Sequence, residues 1–369
     1  MLVYVLNYFL IPIYNYLVKN KKVFFLLMSC QLFLVLAYRA PDLCIDYPGY
    51  ANGFEYISKL SFLDLLPRLR LLSDAVLPSP FSFESGYVVL NWIVAFLGGS
   101  FHTFLILHAA FCVYAYSKFI SRYSKMPWLS VAIFVSFDFY IYIFGILRHT
   151  LSLAFLLFAI PYLEKKKPFK ALLFMLLAFS MHKSSIIFVV MLVFIYVRVT
   201  KKRFALFTVL CAVAAFLGKN FFKKLITTAL TVAGRTSYIK NMTDPKLNLY
   251  ILFLFLTALL VYLLFDFDFS SDDWATNIIL GGFLMSLPMA ILAMYSDNIG
   301  RSGQFFAIML IPLIPNVLYQ HKSREDKQIG TVLVYVMLLF FMMHRLNATD
   351  FYVPYRSIFS VLSGACLLG

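Results

Sequence analysis

The chain is a succession of apolar runs, most of them close to the length that a helix needs to cross a bilayer, separated by polar loops. Of its 369 residues, 62% are hydrophobic and 13% are charged. Its mean hydropathy is +0.84. A soluble domain is about 45–50% apolar and about 25% charged. The composition therefore predicts a polytopic integral membrane protein that folds as a single all-α transmembrane domain over residues 1–369.

Apolar windows of roughly 20 residues predict about thirteen transmembrane helices, within a range of roughly twelve to fourteen. The predicted crossings are residues 2–18, 23–38, 103–120, 128–147, 150–163, 169–182, 185–199, 204–218, 248–265, 275–295, 303–319, 329–344 and 354–369. Segment 84–100 is also apolar, but a crossing there would turn every later lysine-rich loop outward. We interpret it as a re-entrant or interfacial helix, and a crossing stays open as the alternative.

The basic loops predict the orientation of these helices. Loops 19–22, 121–125, 164–167, 200–203 and 321–324 all fall on one side if the crossings alternate. Short cytoplasmic loops carry an excess of lysine and arginine, so this side is the cytoplasm. Two longer segments, 39–102 and 219–247, then lie outside. Amphipathic stretches in 39–102 predict short helices that lie on the membrane surface or re-enter it, and 219–247 is a second, basic outer loop.

The net charge of +15 does not indicate a nucleic-acid-binding protein, because the basic residues are scattered through loops instead of clustered on one face. Anionic lipid or a phosphate-bearing substrate fits this distribution better. The 5 cysteines show no paired spacing of the kind that binds zinc. Phosphate-binding glycine loops and metal-protease motifs are missing as well, and the sequence predicts neither a metal site nor a cofactor.

The candidate site residues are charged groups at outer helix ends. An ionisable residue at membrane depth is costly, so each is a functional hypothesis. Arg148 lies at a tight turn between two crossings and His182 ends another, and guanidinium groups recognise phosphate bidentately. Asp46 and Glu84 each lie beside a tyrosine and suit the abstraction of a proton from a sugar hydroxyl. The alternatives are a snorkelling arginine, a structural histidine and carboxylates that only neutralise an arginine.

In order along the chain, these pieces resemble the EpsG-like branch of the Wzy-type polysaccharide polymerases, the integral membrane enzymes of the O-antigen and capsule pathways. The pieces are YRAPDLCIDYPGYANGFEYI from Tyr38, FESGYVVLNWIV from Phe83, ILRHTLSLAFLLFAIPYLEKKK from Ile146, FSMHKSSIIFVVML from Phe179 and DNIGRSGQFFAIMLIPLI from Asp297. The resemblance covers most of the chain.

The resemblance assigns roles to particular residues. Its D-Y-x-x-Y element matches Asp46, Tyr47 and Tyr50, its E-x-G-Y element matches Glu84, Gly86 and Tyr87, and its remaining elements match Arg148, His182, Lys183 and Arg301. His149 stands where such proteins usually carry glutamine. The piece VPYRSIF matches loosely, and we infer substrate contacts for Arg345, Tyr355 and Arg356 from it.

The resemblance implies a fold similar to the GT-C class of lipid-linked glycosyltransferases and a location in the bacterial inner membrane. The implied activity is transfer of a growing glycan from polyprenyl diphosphate to the non-reducing end of a lipid-linked repeat unit, facing the periplasm or exterior, without a metal or other cofactor. Membrane lipid and a chain-length regulator are the implied partners, and nucleic acid is not one.

As a mechanism, we expect Asp46 to act as base, with Glu84 and His182 as the next choices. Arg148 and Arg301, with Arg39 and Arg345, would hold the diphosphate. The alternatives are another lipid-linked glycosyltransferase or ligase, a flippase or transporter for the lipid-linked glycan, and a membrane acyltransferase.

Overall fold

The computed structural model describes residues 1–40, 43, 46–70, 73–232, 249–295, 297–321, 323–347 and 352–359. Within these ranges the chain is nearly all helical and forms no strand, only two isolated β-bridges. The all-α prediction is confirmed for this part of the chain. Most of the last predicted crossing, 354–369, and the second half of the outer segment 219–247 lie outside the described residues.

The α-helices are α1 Leu2–Leu17, α2 Lys21–Ala37, α3 Tyr47–Ser58, α4 Phe62–Leu65, α5 Ser85–Phe96, α6 Phe101–Tyr123, α7 Pro127–Ser136, α8 Asp138–Ile141, α9 Leu147–Glu164, α10 Pro168–Met181, α11 Lys201–Leu217, α12 Lys219–Val232, α13 Leu249–Leu264, α14 Trp274–Ala293, α15 Asp297–Ala307, α16 Leu310–Gln320 and α17 Arg324–Asn347. In the described ranges, three 3-10 helices, Leu66–Arg68, Tyr142–Phe144 and Lys183–Ile195, join them.

In the described residues, 3 helices are long and apolar enough to cross a membrane, namely α6, α14 and α17, and the number rises to 6 if each bent helix pair is one span. Several further apolar helices are shorter, at 10–17 residues. The length and apolar composition of these helices support a membrane protein. The predicted count of about thirteen crossings exceeds what helix length and composition show, and it stays a prediction.

Two of the predicted crossings are broken helices. Segment 128–147 divides into α7 and α8–Phe144, bent by 62°, because the backbone of Phe137 is extended and ends α7. Segment 303–319 divides into α15 and α16, bent by 44°. Arg301 therefore lies inside a helix that begins at Asp297, not at the start of a long crossing as the sequence predicts.

The segment after His182 is a 3-10 helix of 13 residues, Lys183–Ile195, where the sequence predicts a regular crossing over 185–199. Side chains three residues apart eclipse in a 3-10 helix. The buried positions follow that spacing, since Ser185, Phe188, Met191 and Phe194 are all buried. At about 2.0 Å per residue, this helix is roughly a third longer than an α-helix of the same residue count.

The outer segment 39–102 packs onto the ends of the long helices and builds a second apolar cluster there. Tyr50 and Phe54 of α3 and Tyr87 of α5 meet Phe104 of α6 and Leu151 of α9 in this cluster. Helix α9 itself packs between α10, α6 and the 3-10 helix Lys183–Ile195. The segment thus brings the start of α5 against the start of α9 and the end of α10.

Candidate active site

Glu84 is a buried carboxylate at the centre of a charged cluster. It immediately precedes α5, and its side chain is 6% exposed. Its Oε2 atom accepts a hydrogen bond from Arg148 Nη1 at 2.6 Å. Its Oε1 atom lies 3.1 Å from His182 Nδ1 and accepts a hydrogen bond from the backbone N–H of Lys183 at 3.1 Å. Three elements that are distant in sequence therefore meet at one carboxylate.

The charge state of Glu84 follows from these contacts. Burial by itself raises the pKa of Glu84, but the hydrogen bond with His182, the charges of Arg148 and His182 and the backbone bond of Lys183 outweigh burial and lower the pKa to about 2. Glu84 is therefore ionised at neutral pH. A carboxylate of this kind is a weak base, which argues against the proton-accepting role that the sequence suggested for it.

The contact with Glu84 fixes the tautomer of His182. An ionised carboxylate only accepts hydrogen bonds, so Nδ1 of His182 must carry the proton. In the neutral ring Nε2 is then the basic nitrogen, and it lies 3.2 Å from the hydroxyl of Ser184. The side chain of His182 is 27% exposed. A substrate can reach this ring, whereas Glu84 lies behind it.

A second ion pair holds the loop before α5 against the junction between α10 and the 3-10 helix Lys183–Ile195. Lys183 Nζ lies 2.6 Å from Asp74 Oδ1, and Ser82 donates to the other oxygen of Asp74 at 2.7 Å. Burial opposes ionisation of Asp74, but Lys183 and Ser82 outweigh it and lower the pKa of this carboxyl. Lys183, predicted as a substrate contact, is thus a partner of Asp74 in this structure.

The local sequence explains why Arg148 needs a partner. Arg148 lies in the first turn of α9, where the helix dipole disfavours a cation. The carboxylate of Glu84 and the carbonyl of Ser82, which accepts from Nη1 at 2.9 Å, compensate for this placement. The guanidinium also lies over the rings of Phe83 and Tyr50, at 5.3 Å and 6.0 Å from their centroids.

Gly86 allows α5 to approach the end of α10. A Cβ atom at this position would lie 2.3 Å from Ser180 Oγ and 2.7 Å from the Ser180 carbonyl oxygen. Any larger residue would push α5 away from α10. The small residue in the E-x-G-Y element is therefore what lets Glu84 reach His182.

A second arginine–carboxylate pair lies beside an open cavity of about 590 Å³. Arg345 Nε, in the last turn of α17, lies 2.6 Å from Oδ1 of Asp138, the first residue of α8. Arg345 Nη2 is also 3.5 Å from the hydroxyl of Tyr142. Arg301, Gln304 and His344 line the same cavity, and its aromatic lining residues are Phe137, Phe139, Tyr142, Tyr250 and Phe341.

His149 and Tyr142 lie between the two arginine–carboxylate pairs, Arg148–Glu84 and Arg345–Asp138. The ring of His149 is 2% exposed, and its centroid is 5.6 Å from that of His182 and 6.5 Å from that of Tyr142. The described side chains thus form a continuous path from Arg148 through Glu84, His182, His149 and Tyr142 to Arg345 and Asp138. Arg301 is exposed and lines the cavity at the second end of this path.

Several predicted site residues lie away from this path. Arg39 is 3% exposed and donates to the carbonyls of Phe144 and Leu36, so it joins helix ends and does not face the cavity. Tyr355 donates to the carbonyl of Val35, and its neighbour Arg356 accepts a backbone bond from Ala40. In the described part of the chain, no contact links Arg39, Tyr355 or Arg356 to Glu84 or His182.

The residues of the D-Y-x-x-Y element differ in position. Tyr50 is buried under Arg148 and stacks on Phe83, and Tyr87 of the next element is also buried in that aromatic cluster. Tyr47 packs against Phe101. Asp46, the first choice of base from sequence, is exposed one helical turn before Tyr50, and among the described contacts none joins it to His182.

Sequence reasoning missed two carboxylates of the site, Asp74 and Asp138. Asp138 had a signal, because it is a lone carboxylate inside the apolar run SFDFYIYIFG and such residues are functional hypotheses by default. Asp74 had none, since it lies in a polar loop. Within the described ranges, no group of three or more His, Cys, Asp and Glu side chains has a geometry that would hold a metal ion.

Fold and site together define a helical membrane protein in which buried and half-buried charged residues gather at one end of the helix bundle. The model of the EpsG family matches residues 3–357, and the chain belongs to that family. A search of curated proteins and a search of solved structures each found no match.

Proposed function

We propose that this protein is a polysaccharide polymerase of the Wzy type, which transfers a growing glycan from polyprenyl diphosphate to the non-reducing end of a lipid-linked repeat unit. Membership of the EpsG family supports a polymerase-type function. The observation that carries the chemical part of the proposal is the contact of His182 with the ionised, buried Glu84 beside Arg148.

The transfer requires a base, and His182 is the group that fits. The acceptor hydroxyl oxygen forms a bond to the anomeric carbon of the donor sugar while the bond from that carbon to the diphosphate breaks. The proton of the hydroxyl passes to Nε2 of His182, and the electron pair of the broken bond leaves with the diphosphate. Glu84 stabilises the imidazolium that forms, as a buried carboxylate does for a histidine base, and is a positioning residue.

The cations of the site suit the leaving group. Polyprenyl diphosphate gains negative charge as it departs, and guanidinium groups bind phosphate oxygens with paired hydrogen bonds. Arg301 and Arg345 line a cavity of about 590 Å³ that has room for a diphosphate and part of a sugar. In this proposal they take the place of a divalent cation, and Arg148 fixes Glu84.

The orientation of the helices supports an active site on the outer face of a bacterial inner membrane. Arg148 lies in the first turn of α9, and Glu164 ends the same helix before Lys165, Lys166 and Lys167. The two ends of this helix are about 24 Å apart at 1.5 Å per residue. The lysine-rich end suits the cytoplasm by the positive-inside rule, which turns the charged cluster outward. The predicted thirteen crossings and a chain-length regulator as partner belong to the same proposal.

Deletion of the protein in its host, followed by gel analysis of surface glycan, tests this function. Loss of a polymerase leaves lipid that carries one repeat unit and removes the ladder of longer chains. Loss of a ligase would leave polymer on its lipid carrier, and loss of a flippase would leave repeat units on the cytoplasmic side. A ladder that survives the deletion in a host without a second polymerase would refute the proposal.

A further inference from the structure

We propose that Asp138 holds Arg345 in place of a phosphate group, and that a diphosphate must displace this carboxylate to bind in the adjoining cavity. The inference rests on the proposed function, and it adds a residue that sets the affinity for the leaving group and that lies outside the matched sequence motifs. The ligand chemistry is a diphosphate, free or attached to a lipid.

The geometry of the pair suits such an exchange. Asp138 lies at the bend between α7 and α8, where the first turn of α8 holds its backbone, and its side chain is 25% exposed. Arg345 is the more exposed partner at 40%, on the last turn of α17. The arginine is therefore the group that can move, and the helix dipole favours a cation at that helix end whether or not Asp138 is bound.

The charges around the cavity favour an anion over the carboxylate. Two guanidinium groups, of Arg301 and Arg345, line it with the imidazole of His344, against the single carboxylate of Asp138 among the described lining residues. A diphosphate spans several oxygens and can engage both arginines together. A carboxylate fixed to α8 engages only Arg345.

The two arginines of the cavity also select among anions. Any anion that enters must compete with Asp138 for Arg345 and overcome the repulsion between like charges. A single phosphate contacts fewer donors and gains less from the exchange than a diphosphate does. The carboxylate thus lowers the affinity for both anions, and the diphosphate stays the tighter ligand because it can reach both arginines.

Titration of the purified full-length protein with inorganic pyrophosphate and with inorganic phosphate tests this inference. We expect the unmodified protein to prefer pyrophosphate. We expect Asp138→Asn to bind pyrophosphate more tightly by about fivefold to tenfold, since an anion no longer competes with a partly exposed ion pair. A purely structural pair predicts the opposite, with unchanged or weaker binding in the variant.

Glu164→Gln is the matched control, because Glu164 pairs with Arg122 at 2.9 Å at the far end of α9. It should leave both affinities unchanged. Asp138→Ser is the second variant, which keeps an oxygen acceptor without charge and should change binding in the same direction. Unchanged or weaker pyrophosphate binding in a folded Asp138→Asn or Asp138→Ser variant would overturn the inference. Equal affinity of the unmodified protein for pyrophosphate and phosphate would overturn it as well.

A parallel titration with polyprenyl diphosphate in detergent distinguishes the lipid-linked ligand from the free one. Tighter binding of the lipid-linked form by both the unmodified protein and Asp138→Asn places the lipid carrier at the cavity. Binding of free pyrophosphate alone would overturn the assignment to a carrier lipid. These titrations do not depend on polymer synthesis. A protein that binds diphosphate as expected but makes no glycan would therefore contradict the proposed function and leave the displacement of Asp138 intact.

Discussion

The Oε1 atom of Glu84 lies 3.1 Å from Nδ1 of His182, although the two residues are 98 positions apart in the chain. The carboxylate is buried, and the ring is half-buried. This arrangement gives the histidine one protonated nitrogen that points inward and one basic nitrogen that points away from Glu84. The contact defines which of the two residues a substrate meets.

Arg148→Ala should abolish polymer formation while the protein stays in the membrane, because Glu84 loses the partner at 2.6 Å that fixes its position. Arg148→Lys should restore activity in part, since the bonds to Glu84 and the Ser82 carbonyl both come from the single nitrogen Nη1, which an ammonium group can replace, while the planar contact with Phe83 and Tyr50 is lost. Gel analysis of surface glycan, with an immunoblot of membranes, measures both results. Arg122→Ala, at the far end of the bundle, is the control, and long chains made by Arg148→Ala would contradict the site.

Replacing His182 with Gln should slow glycan transfer by about a hundredfold or more, the range seen when a general base is lost. Ser184→Ala should retain most of the activity, because its hydroxyl only occupies Nε2 of His182 when no acceptor is bound. Incorporation of labelled repeat units in membrane vesicles gives the rates. Equal losses in the two variants would indicate that His182 and Ser184 have a structural role and that the base lies elsewhere.

Glu84→Gln should lower the stability of the protein by about 1.5 to 3 kcal/mol at neutral pH, since it leaves the half-buried Arg148 without its counter-ion. The pKa of Glu84 is lowered from 4.5 to about 2, so its contribution to stability is complete above pH 4.5 and is lost as the pH falls through about 2. The difference in melting temperature between the unmodified protein and the variant should be constant from about pH 5 to 8 and should shrink below that range. Thermal unfolding in detergent over this pH series measures it, and a difference that shrinks between pH 8 and 5 would contradict the low pKa.

Gly86→Ala should reduce activity strongly, because its Cβ would lie 2.3 Å from Ser180 Oγ and force α5 away from α10. Gly49→Ala is the matched control, since no atom lies within 4 Å of a Cβ at that position. The two variants should differ in polymer length and in melting temperature, with Gly49→Ala close to the unmodified protein. Similar behaviour of both would show that the close approach of α5 to α10 is not required.

Single cysteines at Ser184 and Lys166, in a variant without the native cysteines, should react from opposite sides of the membrane. The two positions lie at opposite ends of α10, one after its last residue and one before its first. An impermeant thiol reagent added to intact spheroplasts should label Ser184→Cys and should label Lys166→Cys only after permeabilisation. The reverse pattern would turn the site toward the cytoplasm and remove the proposed function.

Apolar runs and the isolated charges within them predict the class of fold and part of the site. A composition this apolar commits the chain to helices in a membrane, since lipid offers no partner for unpaired backbone groups. Charges in such runs are conspicuous for the same reason, and that is why Glu84, Arg148, His182 and Arg301 were identified from sequence. Local patterns carried this information, because each residue stood out against its own apolar neighbours.

Which of these residues meet, and which are buried or ionised, depends on the packing of the helices. Asp46 and Glu84 look equivalent in sequence, each a carboxylate beside a tyrosine, yet one is exposed and the other is buried against Arg148. The pairing of Arg345 with Asp138 joins residues 207 positions apart through a bend at Phe137. Contacts of this kind depend on how helices pack and where they break, and those are set by side chains from distant parts of the chain that no local pattern contains.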